Sequence, residues 1–512
     1  MGATMSEKLI LLDEPFLEFR DGHQALDPHD GLSLFGAYGS TGLDRSTHVV
    51  LGTEVGVQLW NQWRDRMNKP SWCKDRSRQR AWPPFPGFDA AFGREWPEPV
   101  RTFLIDHSEL DMQSRKSDRF ERSAGTVNCF LSNFPQMKKL DATPALAICI
   151  VPDFVYLNCR PESHISAKSD DVRTAQERTA LRSAIADKRK GQKRFSFGTM
   201  EEEVDLDVFD FSPDFRRQLK AKVMPHRIPV QIIRESTLDV TQKIEDGEPG
   251  NNPLSDRLWN LSTGLSYKCG QKPWKLASAR DGVCYVGLAF KEDSQDKRDA
   301  CCAAQLFLDS GDGVVFVGEF GPWYSPIDEQ FHLTSKAAED LLRGTIETYK
   351  SLDGRPLKEV FLHSHSEISD SEFMGYQRAV PPDCRLVAVR VRQDPNGPRL
   401  FRNGDRPPLR GLFWQRSPTY GLLYTTGFVP RLGTYEGFET PVPLSISLQH
   451  GTADIQQIAI DILGLTKLNY NACQYGEAEP ITIKYSQKIG EILLANRGLP
   501  QEDRQHTFRY YL

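Results

Sequence analysis

Between residues 283 and 362 the sequence carries a succession of short apolar runs that strongly restricts the folds open to it. Val283 to Phe290, Cys302 to Leu308 and Val314 to Glu319 each have strand length and strand composition. A polar hairpin joins the first two, and the tight turn Ser310-Gly311-Asp312-Gly313 joins the last two, so the three form an antiparallel meander. A helix follows from Ser335 to Lys350, with Thr334 as its N-cap, and then a fourth strand from Leu357 to Leu362. Helix Ser369 to Arg378, strand Arg385 to Arg392, further strands to Leu448, and closing helices near Asp454 to Leu463 and Ile483 to Leu494 complete this half.

Three antiparallel strands, a helix and a fourth strand is the order of an RNase H-like core. A nuclease on that frame needs carboxylates near strand ends, because each divalent cation must be held by hard anionic oxygens beside the scissile phosphate. In the first strand, however, Ala289 stands where the acid would sit. A retained binding frame without its metal ligands is the expectation that follows.

The preceding half reads differently. Ala145 to Val151 and Phe154 to Cys159 look like short buried strands, and Ala175 to Asp187 like a helix. A helix over Asp214 to Val223, a strand over Ile228 to Ile233 and a second helical stretch ending at Lys268 follow, closed by Gly270 and Pro273. The fold class is therefore α/β throughout. Upstream, Leu9 to Phe19 is a short apolar run, Leu26 to Gly36 is rich in turn residues, and Trp82 to Pro97 is an aromatic and proline cluster that reads as a packed irregular connection. Three segments result: 1–55, strands and loop packing on the body; 56–275, a small α/β domain with its preceding connection; and 276–512, the RNase H-like domain.

Phosphate recognition wants several cations and polar donors converging on one oxyanion. Arg216 and Lys220 are spaced i, i+4 and share a helix face; Gln231 follows on the next strand, and Lys268 ends the next helical stretch. A second basic run, Arg173 to Arg194, is followed at once by Glu201-Glu202-Glu203, which suits a solvated helix and loop.

In this order, Asp214-Phe215-Arg216-Arg217-Gln218-Leu219-Lys220, Ile228-Pro229-Val230-Gln231 and Tyr267-Lys268-Cys269-Gly270 resemble the MID-domain pocket of Argonaute proteins. The second half is similar to a PIWI domain, including Lys467-Leu468-Asn469-Tyr470-Asn471, Ile483-Lys484-Tyr485-Ser486 and the tail Phe508-Arg509-Tyr510-Tyr511-Leu512. The resemblance implies a Rossmann-like MID domain and an RNase H-like PIWI domain. It also implies a guide 5′-phosphate site at Arg216, Lys220, Gln231 and Lys268, and a Mg²⁺ bridging that phosphate to a terminal carboxylate at Leu512. Arg216 replaces the family's first aromatic, which keeps a planar phosphate donor and loses simple base stacking. The length, with no room for N-terminal and PAZ domains, resembles a short prokaryotic Argonaute. Aligned on that pattern, the second catalytic acid falls in His363-Ser364-His365, taken at Ser364, and the last near Gln487; with Ala289 these are degenerate catalytic positions.

By resemblance such a chain binds a 5′-phosphorylated guide RNA and a complementary single-stranded DNA target without cutting. It works with an APAZ-containing effector (TIR, sirtuin-like or nuclease) in prokaryotic immunity. Two rivals stand beside this reading: a guide-dependent endonuclease using the displaced carboxylates Glu292, Asp293 and Glu367, and a scaffold that binds protein alone. His363 and His365 could together approach a transition metal, but two histidines make a poor site.

Composition bounds these options. No apolar run reaches the roughly 18 residues of a membrane span and Met1 to Leu11 lacks a signal-peptide pattern, so a cytoplasmic location is expected. The ten cysteines include no CxxC pair and read as reduced, mostly buried thiols. A net charge of −5 argues against a simple nucleic-acid coat and demands local clustering of cations. No P-loop, nucleophile-elbow, HExxH or dinucleotide motif is present.

Overall fold

The computed structural model describes residues 7–39, 47–165, 208–209, 211–240, 252–292, 300–308, 313–321, 323–325, 330–352, 356–435, 440–496 and 499–512. The basic run 173–194, the expected helix 175–187, the turn 310–312 and Asp293 lie outside them.

In the first half, four parallel strands lie in the order Arg101–Leu104, His48–Gly52, Leu146–Val151, Val230–Arg234. Parallel strands covered on both faces read as continuous apolar runs, and Leu146–Val151 shows why. Leu146, Ile148 and Ile150 face Trp60, Trp63 and Trp259, while Ala147, Cys149 and Val151 face Phe130, Phe215 and Leu219. The arrangement is the expected Rossmann-like one.

In the second half, nine strands of the described residues form one sheet. The meander Val283–Glu292, Ala300–Leu308 and Gly313–Gly321 is antiparallel; Glu359–Ser364 pairs parallel to the first of these strands, and Arg385–Gln393 pairs parallel to Glu359–Ser364. This is the RNase H-like core anticipated from element order. Alternation again sorts the side chains. Tyr285, Phe361, Val387 and Val389 face the helices Ile455–Leu465 and Ile481–Leu494, whereas Cys284, Val286, Val360 and Leu362 face helix Ser335–Leu352. Thr334 caps that helix by accepting from Ala337 N at 3.2 Å.

One apolar cluster runs from Trp60 and Ile150 through Trp259 and Tyr470 to Tyr285 and Val389, so the two halves share a core. The N-terminal segment ties into both. Lys8–Leu11 pairs antiparallel with Leu412–Gln415 at the edge of the large sheet, and Leu17–Glu18 pairs with Lys275–Leu276. Glu14 adds ion pairs to Arg410 and Lys467 at 3.0 and 2.9 Å.

Two local expectations are corrected. Phe154–Cys159 is not a strand: Pro152 ends the preceding strand, and Asp153–Asn158 turns as a helix with Val155 its one buried residue. Tyr156 and Leu157 stay exposed, so the apolar run never had two faces to bury. Leu26–Gly36 is not merely turns: Asp27 accepts from His29 N at 3.0 Å and Pro28 opens helix Pro28–Leu34, the pairing of an N-cap with proline at N1. None of the eight cysteines whose side chains are described forms a disulfide, and all but Cys129 are buried.

Candidate nucleic-acid interface

Helix Phe215–Val223 starts where the Asp214 carboxylate accepts from Arg217 N at 2.9 Å, and its Phe215 and Leu219 face the core. That register points Lys220 inward, leaving it 2% exposed. Helix Leu254–Lys268 delivers Lys268 from the other side, 1% exposed. The two ammonium groups meet on one atom: the main-chain oxygen of Leu512 accepts from Lys220 and, at 2.6 Å, from Lys268. Lys268 also donates to Val230 O at 2.8 Å, and Lys220 to Tyr511 O at 3.3 Å.

Aromatic packing seats the tail there. Phe508 sits edge-on to Tyr485 and Phe307, with ring centroids 4.8 and 5.8 Å away, and Tyr510 donates to Arg227 O at 2.9 Å. Burial drives both lysines well below the ordinary lysine range, and neighbouring cations push the same way: Lys268, Arg216 and Lys488 on Lys220, and Arg216 on Lys268. Two buried amines held so close need an anionic or strongly accepting partner. The arrangement is a buried cationic cradle whose chemistry suits an oxyanion.

Arg216 is exposed on the same helix, one turn before Lys220, and makes no hydrogen bond or ion pair with the described residues. Gln231 is half-buried beside Val230; its amide nitrogen donates to Ile232 O at 3.3 Å and its buried oxygen has no partner among the described residues. Lys488, on helix Ile481–Leu494, joins the set through its action on Lys220. Its i, i+4 spacing from Lys484 was the available sequence signal. A Mg²⁺ at this point would want about six oxygen ligands, which Leu512 could supply only in part, beside the oxygens of a bound phosphate and water.

At the other expected centre, Ala289 is 6% exposed and lies opposite Ala303. Register pairs Ser364 with Leu288 and His363 with Gly287. Ser364 thus shares the face of Val360 and Leu362, and its hydroxyl accepts from Ser366 N at 3.1 Å. His363 takes the face of Gly287 and Ala289, with Nδ1 3.0 Å from Thr482 Oγ1. A histidine, then, and not Ser364, lies on the face of Ala289. Burial pushes His363 down to about 3, which keeps it neutral, and burial also lowers His365, whose Nε2 is 3.8 Å from Glu479. Helix Ile481–Leu494 crosses at Gly287 and carries Gln487 in its backbone.

Of the displaced acids, Glu367 is an exposed partner of Arg390 at 3.6 Å, and the side chain of Glu292, like Asp293, lies outside the described ones. Among the described residues no three His, Cys, Asp or Glu side chains form a group able to hold a metal ion, and no helix is long and apolar enough to cross a membrane.

The two sheets and their connections form a fold that solved structures share. The chain is similar to Clostridium butyricum Argonaute bound to a guide DNA with a 5′ deoxycytidine and a 19-mer target DNA (TM-score 0.61, 13% identity, 97% of this chain and 54% of that chain). It is also similar to Drosophila Piwi (0.58, 13%, 98% and 56%) and to Aquifex aeolicus Argonaute (0.55, 15%, 95% and 53%). The fold is that of Argonaute and Piwi proteins, and the chain spans about half the length of these structures. No family model matches the sequence, and no curated protein matches it.

Proposed function

We propose that this chain is the recognition subunit of a guide-directed prokaryotic immune complex, a short Argonaute whose PIWI-like half binds without cutting. The observation that carries the reading is the convergence of Lys220 and Lys268 on one oxygen in a buried, cationic cradle. A guide's 5′-phosphate is the ligand this chemistry suits. Lys220 and Lys268 would donate to its oxygens, with Arg216 as a planar donor at the exposed side. Sequence would then be read by base pairing, with the protein contacting backbone.

What supports recognition without cleavage is that Ala289 and the neutral His363 share the core face where, by the resemblance, a two-metal reaction would need acids. An RNA guide, a single-stranded DNA target and an APAZ-containing effector (TIR, sirtuin-like or nuclease) complete the proposal, drawn from the resemblance. The output chemistry would then belong to that partner.

The test compares wild type with the Lys220→Ala/Lys268→Ala variant on guides bearing a 5′-phosphate or a 5′-hydroxyl. A loss of about 1.5–3 kcal/mol per charged contact is expected for the phosphorylated guide alone. Equal binding by the variant would remove the pocket. Guide-matched target cleavage by the purified chain with Mg²⁺ or Mn²⁺ would reinstate the nuclease reading.

A further inference from the structure

Residues 71–85 form a closed surface loop that the pocket does not explain. Its neck is pinned by reciprocal main-chain hydrogen bonds between Ser71 and Phe85, N to O at 2.8 and 2.7 Å. Inside, Cys73 and Phe85 are buried, and the Gln79 amide donates to Cys73 O at 2.9 Å. Asp75 caps the short turn Arg76–Arg78 by accepting from Ser77 N at 2.9 Å. Ends held together and an interior filled by its own side chains make this an Ω-loop, a class that often carries function.

What the loop presents outward is one-sided. Lys74, Arg76, Arg78 and Arg80 stand against the single acid Asp75, in a chain whose net charge is −5. Arg78 is 3.4 Å from Asp75 and stacks over Trp82 at 5.5 Å. Lys74, Arg76 and Arg80 are exposed and form no ion pair with the described residues. Trp72, at the mouth of the loop, is 62% exposed. An indole left in water beside cations that no described acid pairs is the combination that binds single strands, phosphates to the cations and a base to the ring.

The loop is also placed to act with the cradle. Phe85 packs edge-on against Trp259 at 5.0 Å, and Pro84 O accepts from the Trp259 indole at 3.1 Å. Lys268 ends the same helix nine residues later, so loop base and cradle are about 14 Å apart along one rigid axis.

We propose that the loop 71–85 is a second nucleic-acid contact, in which Lys74, Arg76 and Arg80 bind the sugar-phosphate backbone and Trp72 stacks on an unpaired base. This rests on the reading of the chain as a nucleic-acid binder. It adds a site that grips the strand irrespective of its 5′ end.

Two variants of the full chain test it, Lys74→Ala/Arg76→Ala/Arg80→Ala and Trp72→Ala. All four side chains are exposed, and unchanged thermal unfolding shows that the fold is kept. Affinity for a single-stranded RNA with a 5′-phosphate or a 5′-hydroxyl is measured across salt concentrations. The triple variant should reduce the slope of log K against log salt by about 2, from roughly 0.7 per phosphate contact, and leave the preference for 5′-phosphate intact. Trp72→Ala should weaken binding about 5- to 150-fold, the usual stacking range converted at tenfold per 1.4 kcal/mol.

Wild-type affinity and slope in both variants, while Lys220→Ala/Lys268→Ala loses the 5′-phosphate preference, would overturn the loop proposal and leave the pocket standing. No binding of either RNA by wild type would overturn both. Wild-type RNA affinity in the loop variants, with lost binding of an acidic protein partner, would reassign the loop to a protein interface and also overturn the proposal.

Discussion

The ammonium of Lys268 is shared between Val230 O at 2.8 Å and Leu512 O at 2.6 Å, joining a strand of the parallel sheet to the last residue of the sequence. Sites 38 and 244 positions away along the chain are thereby held by one cation.

This geometry sets a pH dependence. Lys220 and Lys268 lie well below their ordinary 10.5 in the folded chain, so the unfolded chain binds more protons between the depressed value and 10.5. Stability without ligand should therefore rise with pH across that window. An added phosphate favours the charged amines, so binding takes up protons and weakens as pH rises. Calorimetric titration of a 5′-phosphorylated guide in buffers of different ionisation enthalpy should detect that uptake. Identical heats in all buffers would contradict it.

Gly287 is where the closing helix meets the first core strand. A Cβ there would lie 1.9 Å from Thr482 O, a backbone atom that cannot swing aside. Gly287→Ala should force helix Ile481–Leu494 outward and destabilise by about 1–3 kcal/mol, read as a lower denaturant midpoint. It should also disturb the contact of His363 with Thr482.

Glu14 neutralises two cations at the join between the N-terminal segment and the large sheet. The side chain of Lys467 is fully buried and held down to about 8, chiefly by burial against the opposing pull of Glu14. Glu14→Gln leaves Lys467 and Arg410 without their carboxylate, for which about 3–5 kcal/mol is the usual scale. Thermal unfolding should show a clear drop, and a variant as stable as wild type would refute this role.

His363 provides an acid-side probe. Its folded value of about 3 lies below the ordinary 6.5, so the unfolded chain binds the extra proton between them. That contribution is complete above about pH 6.5 and is lost as pH falls towards 3. His363→Gln should therefore lose less stability than wild type between about pH 6.5 and 4. Matching acid limbs in the two proteins would show that His363 is not held neutral.

Much of this architecture could be read along the chain. The meander, helix and fourth strand after residue 283 were legible because their strands are apolar runs with short links, and local pattern governs such elements. Arg216 and Lys220 were legible as a pair because i, i+4 spacing alone puts them on one helix face. Phe154–Cys159 misled because a short apolar run has no length or period to separate a strand from a helical turn. The facing of Ser364 was not legible for a similar reason: alternation cannot be phased until register with Gly287 and Leu288 is known.

By itself, then, the sequence determined the α/β class, an alanine at 289 in the first core strand, and the set of cations that could share one site. Only tertiary structure decided that Lys220 and Lys268 meet on Leu512 while Arg216 stays in solvent, and that a histidine, not Ser364, takes the face of Ala289. The reason is range. Periodicity and capping act within a few residues, whereas the charge state of a buried amine and the facing of a strand end depend on partners hundreds of positions away.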